Sequence, residues 1–98
     1  MSNLLSTELH SPASTPYFLW DEPMTVAELK EKLASASEEE RMRLLGKVLR
    51  EARDTDVWFF TTPQEVVLQW NRIERHLGRR RAFWKFLVAQ WRELGLIG

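Results

Sequence analysis

Few side chains in this sequence are of a type that does covalent chemistry, and those few do not converge. His10 and His76 are the two histidines, far apart and with no second His at metal-ligand spacing. His76 lies near the end of an expected helix, where a positive charge is favourable; alone, it lacks the orienting group that a catalytic base needs. The run Glu38-Glu39-Glu40 offers adjacent carboxylates. Successive helical positions diverge by about 100°, so these three cannot converge on one hard cation, which wants several oxygens. The chain has no Cys, which excludes disulfides, thiolate catalysis and Cys-based zinc sites. No Gly-rich phosphate loop and no nucleophile in a strand–turn–helix context is present. No catalytic, metal or cofactor site is expected.

The chemistry that remains is cationic and aromatic. Arg72, Arg75 and Arg79 fall at steps of three and four, one stripe on a helix. Arg80, Arg81 and Lys85 extend it, with Trp84 between them. The planar fork of Arg suits carboxylates and phosphates. A basic stripe beside an aromatic can also stack on single-stranded nucleic acid. A helix–turn–helix reading of the junction at Gly78 fails on residue type. The helix after it opens with Ala82, Phe83 and Trp84, not with the polar side chains that meet base edges.

The elements that must carry these residues are legible from their caps. Thr25 with Glu28 forms a capping box, and Met24 with Leu29 sits at hydrophobic-staple spacing. That helix runs to about Ser35, with Val26, Leu29 and Leu33 on one face. Ser37 with Glu40 starts a second, whose stripe Leu44, Leu45, Val48, Leu49, Ala52 faces inward. Asp54 to Asp56 break it before a short turn through Val57 to Phe60. Thr62-Pro63-Gln64-Glu65 opens a third, with Pro at the first helical position. It carries Val66, Trp70, Ile73 and Leu77, and Gly78 is placed to end it. A last helix spans about Arg80 to Leu94, with Phe83, Trp84, Leu87, Val88 and Trp91 inward and Gly95 as its stop.

The expected fold is therefore all-α: a compact bundle of four to five short helices with antiparallel neighbours and a HEAT-like helical hairpin at its start. One hairpin cannot make a solenoid. Residues 1–15, rich in Ser, Thr, Pro and Asn, are expected to be a disordered tail, and 16–98 a single helical domain. Tyr17 to Trp20 form an aromatic run, read as an extended anchor on the helices.

Five Trp and five Phe in 98 residues suit either a tight small core or a core with aromatic surface left over for a partner. Phe59 and Phe60 are consecutive and cannot both point inward from a helical turn. Phe86 lies beside the inward stripe, and Trp20 ends the aromatic run. An apolar surplus of this kind marks protein interfaces, where Trp, Tyr and Arg are enriched. Net charge is zero but divided: residues 1–56 hold 7 basic and 11 acidic side chains, residues 57–98 hold 7 and 3. No run approaches a membrane span. Met1 to Pro16 lack the basic start and apolar core of a secretory signal, so a cytoplasmic location is expected.

The run Tyr17-Phe-Leu-Trp-Asp21, the segment Asp56-Val57-Trp58, the step Thr62-Pro63-Gln64-Glu65-Val66 and the closing Arg81-Ala-Phe-Trp84 resemble a group of short bacterial proteins. These are encoded beside nucleotidyltransferase-like toxins of the abortive-infection class. The resemblance covers about residues 17–94, and each of its motifs also reads as a cap or core element. It implies an antitoxin that occludes the toxin's nucleotide or RNA site, either with the acidic half against an RNA-binding groove or with the Arg stripe against active-site carboxylates.

The functional expectation is thus a non-catalytic module that binds another protein. Its candidate contacts are Arg72, Arg75, Arg79, Arg80, Arg81, Lys85, Phe59, Phe86 and Trp20. The runner-up is a small nucleic-acid-associated protein using the Arg stripe, set back by a neutral overall charge. A homo-oligomer that buries the aromatic surplus is a further class, and a small enzyme ranks last.

Overall fold

The computed structural model describes residues 5–95. Its helices begin where the caps place them. At α1 (Val26–Ser35) the capping box is complete: the Thr25 hydroxyl accepts from the Glu28 N–H at 3.1 Å, and the Glu28 carboxylate accepts from the Thr25 N–H at 2.8 Å. Two residues later Ser37 caps α2 (Glu38–Glu51), with three glutamates in the first turn, where the helix dipole favours them. So short a loop folds α1 and α2 back to back as an antiparallel hairpin.

Helix α2 is the centre of the fold. Met42, Leu44, Leu45, Val48 and Leu49 are all buried, and Ala52 follows them inward. Gly46 is buried too, for a steric reason. A Cβ there would lie 2.3 Å from the Cβ of His76, so only glycine lets the third helical stretch approach this closely.

That third stretch is where the sequence and the structure part. One continuous helix from Pro63 to Leu77 is expected; instead α3 (Pro63–Leu68) ends at Gln69, whose backbone leaves the helical region at φ −99°, ψ 9°. A single turn α4 (Trp70–Ile73) and a 3₁₀ turn Glu74–His76 follow. The tightening seats His76 on Gly46 while the expected anchors Val66, Trp70, Ile73 and Leu77 all stay buried. Gly78, at φ +53°, ends the stretch in the left-handed region as expected.

A 3₁₀ turn Gly78–Arg80 leads into α5 (Arg81–Glu93). Trp84 is fully buried, and its indole N–H donates to the Leu49 carbonyl at 2.8 Å. This bond fixes the rotation of α5 against α2. Val88 follows Trp84 inward, and Leu87 and Trp91 are half-buried. Phe83, expected inward, faces out: it stands about 100° from Trp84 around the helix, and the larger indole takes the core position.

The expected tail over residues 1–15 differs from what residues 5–15 do; residues 1–4 lie outside the described part. Strand β1 (Leu5–Ser6) pairs in parallel with β2 (Thr15–Pro16), two residues each. The connecting loop supplies carbonyls to the open end of α1: Ser14 accepts from the Val26 N–H at 2.8 Å and Pro12 from the Ala27 N–H at 3.0 Å. Free N–H groups at a helix start need such partners. Leu9 is buried and His10 meets the Phe59 ring edge-on at 4.8 Å. One apolar residue and a set of helix-end hydrogen bonds, invisible to composition, hold this polar segment down. The aromatic anchor that follows is a 3₁₀ turn (Tyr17–Leu19) with Phe18 and Leu19 buried.

Candidate functional site

The charged side chains divide into those that hold the fold and those that do not. Between the segment after Tyr17–Leu19 and α2 lies a clasp of five. Lys47, only 5% exposed in the middle of α2, reaches Asp21 at 2.5 Å and Glu22 at 3.1 Å. Arg43, one turn earlier, forks onto both oxygens of Glu22 and also takes Glu40 at 2.8 Å. The Arg43 hydrogen bonds, reinforced by Lys47, outweigh burial and hold the Glu22 carboxyl at about 2. Glu40 is lowered by Arg43 and Asp21 by Lys47, while Glu40 and Glu22 raise Arg43 in return. Every member has a partner, so the clasp is structural. Its sequence signal was Lys47 inside an apolar stripe with Arg43 four residues before it, a spacing that shares one helix face.

Among the described residues, no group of three His, Asp or Glu is placed to hold a metal ion. A cleft of about 320 Å³ opens between the hairpin and the start of α3, floored by Leu33, Met42, Leu45 and Phe60 and also lined by Arg41, Thr61 and Glu65. It contains no base with an orienting partner.

The arginine stripe does not survive as one surface, because the helix meant to carry it is broken. Arg72 is bound to Glu38 at 2.5 Å and to Gln69 at 3.2 Å, against the acidic start of α2. Arg75 shares a shallow cleft with Glu38, Glu39 and Arg72. Arg81 is paired with Glu74 at 2.7 Å. Arg75, like Arg79, Arg80 and Lys85 around the head of α5, has no ion pair among the described residues. Arg80 lies over the Phe83 ring at 4.8 Å, a cation–π contact.

His76 also departs from expectation. Burial chiefly, then the charges of Arg75, Arg50 and Arg43, push its pKa below the usual histidine value. Burial and the three neighbouring cations both favour the neutral imidazole. The end of the 3₁₀ turn is served instead by Arg50, which donates to the His76 carbonyl at 2.8 Å.

The aromatic candidates separate in the same way. Phe59 is withdrawn as a contact residue: it is half-buried and its ring is covered by His10. Trp20 is 66% exposed, but it belongs to the segment that enters the clasp and not to α5. Phe86 is 60% exposed and Phe83 37%. Both stand on the outer side of α5. At about 100° per residue, Ala82, Phe83, Ala89, Gln90 and Glu93 all lie within roughly 60° of Phe86. All are exposed except Gln90, which is half-buried. The face is apolar at its middle, with Glu93 at its foot; Arg79 and Arg80 precede it in the 3₁₀ turn, and Arg80 reaches it through the Phe83 ring. Sequence reasoning found Phe86 but missed Phe83 and the two alanines. The 4–3–4 spacing of Ala82, Phe86, Ala89 and Glu93 was the available signal.

No described helix is long and apolar enough to cross a membrane. No family model matches the chain, and neither a curated protein nor a solved structure is significantly similar to it.

Proposed function

We propose that this chain is a non-catalytic, cytoplasmic protein-binding module whose docking face is the outer side of α5. The observation that carries the reading is a helix face centred on Phe86 that none of the described residues covers, in a molecule whose clasp charges are all partnered. Exposed aromatics with arginines beside them are the composition of binding hot spots.

The resemblance at Tyr17 to Asp21 and Arg81 to Trp84 supplies the partner class: a nucleotidyltransferase-like toxin, held inactive by occlusion. Arg79, Arg80 and Lys85 suit the carboxylates that such an active site uses to hold metal. The nucleic-acid reading is weakened because Arg72 and Arg81 already hold carboxylates. Its signature would be affinity falling steeply with salt.

The test is co-expression with a nucleotidyltransferase-like enzyme encoded beside the gene, followed by purification in high salt. The wild-type chain should co-purify and suppress the enzyme, and Phe86→Asp should do neither. Suppression unaffected by Phe86→Asp would remove α5 from the mechanism.

A further inference from the structure

We infer that the cleft between the α1–α2 hairpin and the start of α3 is a binding site for a free apolar α-amino acid of leucine or phenylalanine size. No residue of α5 lines this cleft, so the inference goes beyond the docking reading and stands apart from it. The cleft encloses about 320 Å³, the small end of what ligand sites hold. Four apolar side chains floor it: Leu33 from α1, Met42 and Leu45 from α2, and Phe60 from the turn before α3. Met42 and Leu45 are buried, and Leu33 and Phe60 are half-buried.

Two charges of opposite sign stand on the same cleft, Arg41 from α2 and Glu65 from the first turn of α3. They do not reach each other, and neither has an ion pair among the described residues. Arg41 is the exception on its helix, since Arg43, Lys47 and Arg50 all hold carboxylates. Thr61 lines the cleft as well, and its buried hydroxyl has no hydrogen-bond partner among the described residues. A step of χ1 from one staggered position to another would turn that hydroxyl toward the cleft. A buried polar group left unpaired calls for a partner, and a bound ligand supplies one.

The ligand class follows from the signs. A carboxylate suits the planar fork of Arg41, but a plain monocarboxylate would set its charge against Glu65. A plain amine would suit Glu65 and face the Arg41 cation. A free α-amino acid carries both charged groups on one carbon atom and answers both side chains, while its own side chain lies on the apolar floor. An internal peptide segment brings neither charge.

So small a ligand is expected to bind with a dissociation constant on the order of 0.1–1 mM. The experiment is a titration of the full chain, isotope-labelled for amide NMR, with L-leucine and L-phenylalanine up to about 20 mM, well above such a constant. The expected result is saturable shifts at the amides of Met42, Thr61, Thr62 and Glu65. N-acetyl-L-leucine lacks the ammonium and L-leucinamide lacks the carboxylate; each should bind about tenfold more weakly than leucine, the size of one lost charge-assisted contact. Arg41→Gln should erase the preference for leucine over leucinamide, and Glu65→Gln the preference for leucine over its acetyl derivative. Both side chains are half-buried at the cleft and hold no other charge, so both variants should fold, which circular dichroism checks. The comparison of the three ligands on the wild-type chain stands without them. No saturable shift, equal affinity for leucine and its two derivatives, or both preferences surviving in folded variants would overturn the inference. A chain that binds leucine but captures no protein would overturn the proposed function alone.

Discussion

Helix α2 and helix α5 are built from similar materials and put them to opposite uses. Both are amphipathic, of 14 and 13 residues, with a buried stripe and basic side chains. On α2 two of the cations hold the fold together. Lys47 is buried and Arg43 forked, and between them they hold three carboxylates from two segments of chain. On α5 the inner stripe is equally closed by Trp84, but the other side keeps aromatics and small residues in solvent and leaves Arg79, Arg80 and Lys85 around its head. The lesson is that a charge or an aromatic indicates a binding role only after its intramolecular partners have been counted. By that count α2 is part of the scaffold, and the outer side of α5 is what the scaffold presents.

The contrast can be broken most severely on the inner side of α5. Trp84→Ala should destabilise the fold by about 3–5 kcal/mol, through the cavity left by the indole and the unpaired Leu49 carbonyl. Urea unfolding with a constant m-value checks this. Two residues away, Phe86→Asp should leave stability within about 0.5 kcal/mol of wild type, since it touches no buried feature. If the two losses were alike, the distinction between the faces of α5 would be lost.

Gly46→Ala attacks the junction of α2 with the third helical stretch. The added Cβ meets the Cβ of His76, which cannot swing aside, so backbone must move. A loss of about 1–3 kcal/mol is expected from overpacking, read as a lower thermal midpoint.

The clasp sharpens the contrast through pH. Glu22 is held at about 2 against an unfolded value of 4.5. Its contribution is therefore complete above about pH 5 and is lost as pH falls from 4.5 toward 2. His76 works in the other range. Its folded pKa is depressed, so the unfolded chain takes up the proton more readily, and stability declines as pH drops through the ordinary histidine value of 6.5. Unfolding midpoints measured from pH 8 to pH 2 should show both steps. Glu22→Gln should flatten the lower one and His76→Gln the upper one.

How much of this was written in the sequence depends on the range of the interaction. Helix starts at Thr25, Ser37 and Thr62 were legible because a cap acts within four residues. The stop at Gly78 was legible because it depends on one residue's backbone freedom. The buried stripe of α2 followed from its period. The break at Gln69 did not, because it answers to the approach of His76 to Gly46, residues thirty apart in the chain. Neither did the packing of residues 5–15, which rests on carbonyls reaching a helix end. At the candidate site the residue types were readable, but their freedom was not. Arg72, Arg81 and Phe59 looked available until Glu38, Glu74 and His10 were found against them.

The central claim is that the outer face of α5 is where this protein meets another. The most direct measurement compares wild type with a Phe83→Ser/Phe86→Ser variant, shown by circular dichroism to be folded, as purified in high salt from cells that encode the chain. The account predicts that one nucleotidyltransferase-like protein accompanies the wild type in stoichiometric amount and is absent from the variant. The same companion on both, or nucleic acid alone that washes away with salt, would contradict it.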